Sequence, residues 1–213
     1  MTKSIKKTKI FSTKKQVGIT DEKPEYLLND MSISGFRVND TINGIKVNLL
    51  CPVVKSKTAG FSTKLIYEIS NSYFKNFVAE AKEKGKNDSV YHQLNIRTVF
   101  VNSKAGLISC LMEEKAKFVG EENCKSYFGV TYKKTNDKAL SFAEVFPIDE
   151  ANFDEFKLLF SPKAEALSKK DFDESQFAIG KDSLYVFVGG KESSQTKFSA
   201  PIQSIEGFII NGK

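Results

Sequence analysis

The chain has 213 residues, 40% hydrophobic and 27% charged, with a net charge of +6 and a pI near 9.0. That length supports one sizeable core or two small ones. The balance is globular, and no apolar run approaches the roughly 18 residues of a membrane-spanning helix.

The basic pI raises nucleic acid or an anionic surface as a partner, but its distribution argues otherwise. Lys3, Lys6, Lys7, Lys9, Lys14 and Lys15 sit in the first fifteen residues with no acid among them, so the remaining chain is formally neutral. Only Arg37 and Arg97 supply a guanidinium fork, which weakens a nucleic-acid reading of the folded part. The lysine arm itself can attract acidic protein, an anionic polymer or membrane headgroups. No apolar signal core follows it, because Ile10-Phe11 runs straight into Ser12-Thr13-Lys14-Lys15. The protein is therefore expected either in the cytoplasm or, with a signal removed, outside it. Residues 1–29 read as a mobile basic arm and 30–213 as a single domain.

From Met31 the pattern alternates, with Ile33, Phe36 and Val38 in one run and Ile45, Val47 and Leu49 in the next. Asn43-Gly44 between them tolerates the positive φ of a hairpin turn. Pro52, lacking an amide donor, is expected to end or edge the second strand. A helix follows, capped by Ser62 or Thr63, with Ile66, Ile69, Tyr73, Phe77 and Ala81 recurring at three- and four-residue steps and Gly85 as its stop.

Gln93–Val101, Gly106–Met112 and Tyr127–Lys133 then read as a three-stranded meander, with Leu94, Ile96, Phe100 and Phe142 facing a core under the helix. Glu113 to Lys125 reads as the most exposed loop in the middle of the chain. Asp149 or Asn152 caps a helix carrying Phe153, Phe156, Leu159 and Phe160, stopped at Pro162, and a second short helix spans Lys163 to Lys170. Ser175–Ile179 and Ser183–Val188 form a hairpin. Gly189 to Thr196 is a polar loop, and Lys197–Gln203 and Ile205–Ile210 are the last strands. The sum is an α+β fold: an antiparallel meander sheet covered by one long helix, with short helices and terminal hairpins.

Catalytic signatures are thin. His92 is the one histidine, and any imidazole-based dyad or triad has to use it with a serine or cysteine; no nucleophile elbow accompanies it. The carboxylate pairs Glu113-Glu114, Glu121-Glu122, Asp149-Glu150 and Asp154-Glu155 read as solvated faces and helix caps rather than a glycosidase pair. The sequence carries no phosphate-loop, dinucleotide or calcium-loop motif, and no cofactor or metal is expected from it. Cys51, Cys110 and Cys124 contain no C-x-x-C, and Cys110 and Cys124 read as free thiols, with a bridge between neighbouring strands as the other option.

A helix after a Pro-containing strand, three meander strands, and then Lys138-Ala139-Leu140-Ser141-Phe142-Ala143-Glu144-Val145-Phe146 with an aromatic helix behind it form a recognisable series. It resembles a family of bacterial extracytoplasmic domains, found as the lysozyme-sensing outer part of RsiV-type anti-sigma factors and ahead of the deacetylase in PdaC-type peptidoglycan deacetylases. Gln176 to Val188 resembles the penultimate hairpin of that family, and the likeness covers about residues 45 to 210. Where the family has a Gly-Ala-His segment this chain has Val119-Gly120-Glu121-Glu122, so no role is carried from that histidine.

The resemblance implies a non-enzymatic α+β binding module of the envelope that recognises a protein such as lysozyme or a peptidoglycan-related ligand. The ligand-surface candidates are Glu113, Glu114, Glu121 and Glu122 in one loop and Lys191 and Glu192 in another. The alternative is a cytoplasmic or secreted interaction protein that docks an acidic partner or nucleic acid through its lysine arm.

Overall fold

The structure is a computed structural model describing residues 16–18, 31–42, 45–56, 63–85, 91–133, 138–160, 162–189 and 195–210, with side-chain surroundings at 41, 68–85 and, within those ranges, from 91 onward. Its fold is α+β. Six strands form one sheet in sequence order: β1 (Gln16–Gly18), β2 (Met31–Ile42), β3 (Ile45–Ser56), β4 (His92–Lys104), β5 (Leu107–Lys117) and β6 (Cys124–Lys133). Neighbours are antiparallel except β3 and β4, which pair in parallel over Val47–Leu50 and His92–Asn95. A parallel pair needs a crossover, and α1 (Thr63–Glu83) supplies it. The long helix is thus the connection that turns a hairpin into a six-stranded sheet.

The β2–β3 hairpin closes at Ile42 opposite Ile45, as the alternation on either side of Asn43-Gly44 implies; those two residues lie outside the described ones. Pro52 does not end its strand. It pairs opposite Gly35 inside β3, beyond the stretch where β4 lies alongside, so one edge of β3 has no β4 amide or carbonyl to meet there. Gln16–Gly18 within the expected arm forms β1, paired to Gly35–Arg37; Lys3, Lys6, Lys7, Lys9, Lys14 and Lys15 lie outside the described residues. The β4–β5 turn contracts to Ala105-Gly106, both at positive φ (50° and 74°), as a two-residue hairpin with right-handed twist requires.

One face of the sheet lies under α1. Phe74, Phe77, Val78 and Ala81, at helical spacing, meet Leu94, Ile96, Val101, Cys110, Met112, Phe128 and Val130. Phe100 is not among them. A register shift between Thr98 and Phe100 inserts one residue into β4, and a one-residue slip moves every later side chain to the other face. Val101 therefore points at the helix, while Val99 and Phe100 pack on Leu111, Ala178 and Phe187.

The opposite face carries the C-terminal elements: α2 (Phe142–Val145), α3 (Glu150–Leu158), a 3₁₀ turn Pro162–Ala166, α4 (Lys169–Asp173), the antiparallel sheet β7 (Gln176–Ile179), β8 (Ser183–Val188) and β9 (Thr196–Pro201), and α5 (Ile202–Ile205). Phe142 belongs to this second core, with Phe146, Phe153, Phe156, Phe160, Phe172, Phe177 and Phe198, and not to the core under α1.

The Lys138–Phe146 segment makes a helical turn over Phe142–Val145, started by Ser141 and Glu144 in a reciprocal capping box. Asp149 caps α3 through the Asn152 amide. The expected helix over 163–170 is divided: Pro162 opens a tight turn and Ser168 caps the separate α4 with Asp171. The terminal segment 205–210 holds the end of α5 and a 3₁₀ turn Glu206–Phe208 in place of a strand, with the Ile210 amide donating to the Val145 carbonyl.

β7 crosses β6 at backbone range. A Cβ on Gly129 would lie 1.7 Å from the Phe177 carbonyl oxygen, so only glycine permits the approach. The Ile179 amide donates to Ser109 Oγ at 2.8 Å, and that hydroxyl lies 2.7 Å from Thr131 Oγ1. Asn102 Nδ2 donates to the Ile179 and Gly180 carbonyls at 3.2 and 2.8 Å.

Candidate functional site

Strand alternation decides where the candidate carboxylates go. Glu113 to Lys125 is not one exposed loop: β5 continues to Lys117 and β6 begins at Cys124, so Glu113 and Glu114 are strand residues, 0% and 5% exposed. The acidic dipeptide sits in the strand because each carboxylate finds its own partners on its own face.

Glu114, opposite Ile96 and Ser126, faces the helix side, and Ser126 Oγ donates to its Oε2 at 2.9 Å. Here α1 runs out before the sheet does, leaving a groove of about 380 Å³ between the last turns of α1, the ends of β5 and β6, and the segment that joins them. Phe77 and Phe118, stacked at 5.1 Å, give it an apolar wall. Glu80, Glu114, Glu121 and Glu122 bring carboxylates to it.

Lys84 ties the two sides together. Its Nζ donates to both Glu121 oxygens at 2.7 and 2.6 Å, lies 3.4 Å from Glu80 Oε1, and sits 4.5 Å above the Phe118 ring. The Glu121 hydrogen bond, with Glu80 behind it, raises the Lys84 pKa above its ordinary value.

His92 stands behind this groove and is 2% exposed. Nδ1 accepts from the Val119 amide and Nε2 donates to the Gly85 carbonyl, each at 3.3 Å, and Phe118 packs edge-on at 5.8 Å. Both ring nitrogens are thus engaged with backbone, fastening the end of α1 to the segment after β5. An imidazole so held is a cross-brace for the groove wall.

Glu113 points the other way, into a cationic cluster. Desolvation pushes its carboxyl pKa up, but hydrogen bonds from Arg97 and Lys125, with Lys115 adding a third, outweigh that and hold it down at about 2. Of the four acidic candidates, Glu114, Glu121 and Glu122 therefore converge on one groove and Glu113 does not. Lys191 and Glu192 lie outside the described residues. Sequence reasoning missed Glu80, Lys84, Phe77 and Phe118. The Glu80–Lys84 spacing of four was visible, but the pairing of α1 with a segment over thirty residues downstream was not.

Cys110 is buried opposite Val130, and Cys124 sits opposite Ala116 at the far end of the same strand pair. Six residues of strand separate them, roughly 20 Å, so both are free thiols; burial pushes the Cys110 pKa up to about 12. Among the described residues no group of three or more His, Cys, Asp or Glu is placed to hold a metal ion, and no helix is long and apolar enough to cross a membrane.

No protein-family model matches the sequence, and no curated protein sequence does. A solved structure does share its fold. A DUF3298 family protein from Pseudomonas aeruginosa PAO1 superposes with a TM-score of 0.50 at 10% identity, over 86% of this chain and 96% of that one. A member of the DUF3298 family from Bacteroides fragilis NCTC 9343 aligns at a TM-score of 0.46 and 12% identity, over 84% and 93% of the two chains. Identity this low carries the architecture alone. The α+β arrangement has a solved counterpart, and the groove is read from this chain's own residues.

Proposed function

We propose that this protein is a non-catalytic binding module of the bacterial cell envelope, recognising a protein or a cell-wall component through the groove at the end of α1. The observation that carries the reading is the convergence of Glu114, Glu121 and Glu122 with Glu80 beside the Phe77–Phe118 wall. Such a site takes an amine or guanidinium head on its carboxylates and the alkyl stem on its rings. Binding also exchanges one ion pair for another, since an incoming cation competes with Lys84 for Glu121. A cationic protein surface suits it, and so does an amine-bearing wall component.

The sequence resemblance to RsiV- and PdaC-type extracytoplasmic domains supports an envelope location and a sensing or docking role. The neutral body weighs against attraction of a cationic enzyme at long range, but the groove is locally acidic, and short-range complementarity sets specificity.

The test uses hen egg-white lysozyme and purified peptidoglycan sacculi as probes. Glu121→Lys combined with Glu122→Lys changes two exposed side chains; it breaks the Lys84–Glu121 pair, so a small drop in melting temperature is expected with the fold retained, while binding weakens by at least about tenfold. No binding to either probe, or affinity indifferent to the double reversal, overturns the reading. Fractionation of the native protein with the cytosol overturns the envelope location separately.

A further inference from the structure

On the sheet face opposite the groove, cross-strand register lines up Asn95, Lys115 and Lys125 in one row and Arg97, Glu113 and Tyr127 in the next. Arg97 Nε and Nη2 bond the two Glu113 oxygens at 2.8 and 3.3 Å, and Lys115 and Lys125 reach the same carboxylate at 3.3 and 2.6 Å. Glu113 is fully buried, whereas the side chains of Lys115 and Lys125 are 44% and 49% exposed.

The surface continues onto β8 and β9. Tyr127 stacks on Phe187 at 5.4 Å, Lys125 Nζ lies 5.0 Å from the Tyr127 ring, and Lys197 Nζ lies 4.4 Å from the Tyr185 ring and 5.9 Å from Tyr127. Lysines directly opposed across two strands repel, and this pair is stabilised by the carboxylate between them.

We infer that this face docks an acidic polypeptide segment, with Glu113 serving as an internal stand-in that holds the cations in position until the partner's carboxylates arrive. Two features carry it. The ammonium groups are pre-placed by a buried anion and by ring faces, so little side-chain freedom is lost on binding. Lys125 and Lys197 reach solvent from two different sheets, giving a platform rather than a point.

The chemistry also discriminates among polyanions. The guanidinium here is bidentate to Glu113, and the tyrosine faces have lysines over them, so base stacking and the phosphate fork that favour nucleic acid are both occupied.

The test is fluorescence anisotropy of a labelled deca-glutamate peptide with the full chain in which Lys3, Lys6, Lys7, Lys9, Lys14 and Lys15 are replaced by Gln, so that the arm contributes nothing. Binding is expected, weakening as salt rises from about 50 to about 200 mM. Lys125→Glu with Lys197→Glu is expected to lose at least about tenfold in affinity. Lys197→Glu alone, a change at an exposed residue, serves if a thermal melt finds the double variant unfolded.

The inference is overturned if the arm-neutral chain binds no peptide, or if charge reversal leaves affinity unchanged. It is overturned equally if a polyphosphate or oligonucleotide of matched charge binds this face while the peptide does not.

Discussion

The two faces of the six-stranded sheet are covered by different physics. Under α1 the contact is a helix laid across apolar rows, held chiefly by burial that has no preferred direction, and the Ser70 and Thr98 hydroxyls stay buried with no hydrogen-bond partner among the described residues. On the other face β7 is seated by a backbone crossing at Gly129, by the Ser109–Thr131 pair on the Ile179 amide and by Asn102 on two carbonyls. Gln195 completes that side by exchanging two 2.8 Å hydrogen bonds with the Tyr127 backbone, occupying the outer edge of β6 as a neighbouring strand would. The span of α1 over the sheet is seated chiefly by burial, with polar ties only near its end through Lys84 on Glu121 and His92 on the Gly85 carbonyl, and where α1 stops the groove begins.

The largest break in this contrast is expected from Gly129→Ala. The added methyl meets backbone that cannot swing aside, so β6 and β7 have to part. A loss of about 4 kcal/mol or more, the scale of the severest single substitutions, is expected in urea unfolding. A loss below about 1 kcal/mol would mean the crossing is soft.

Next comes acid. The ordinary Glu carboxyl titrates near 4.5, and Glu113 titrates near 2 in the fold. Its contribution is therefore present above pH 4.5 and lost as pH falls toward 2. That depression corresponds to roughly 3 kcal/mol. Glu113→Gln is expected to flatten the fall in stability across that window. A parallel fall in both proteins would place the acid sensitivity elsewhere.

Much of the architecture was legible because local signals agreed. The Asn43-Gly44 hairpin, the α1 stripe, the three meander strands and the Asp149 cap all follow from alternation, spacing and capping chemistry. What escaped was set by tertiary context. The extra residue at Val99 sends Phe100 to the far face, and nothing in Thr98-Val99-Phe100 announces it. Glu113-Glu114 looked solvated because charge normally seeks water, whereas Arg97 on β4, Lys125 on β6 and Lys115 two residues along β5 make the burial of Glu113 tolerable. The end of the chain mimicked a strand because Ile205, Ile209 and Ile210 suit either period, and a turn was chosen by packing against the second core. For the site, the sequence offered the right carboxylates in one loop but could not divide them between two faces.

The smallest expected effect separates the two faces most cleanly, because it uses adjacent residues. Met112, fully buried, faces α1; Leu111, 2% exposed, faces Ala178 and Phe187. Met112→Leu conserves volume against a helix that can settle, and is expected to cost less than about 1 kcal/mol. Leu111→Met places a longer side chain beside the Gly129 crossing, where β6 and β7 have no slack, and is expected to cost about 1 kcal/mol more. Equal losses in thermal melts would mean that both faces repack alike. The groove would then owe its shape to something other than the looser fit of α1.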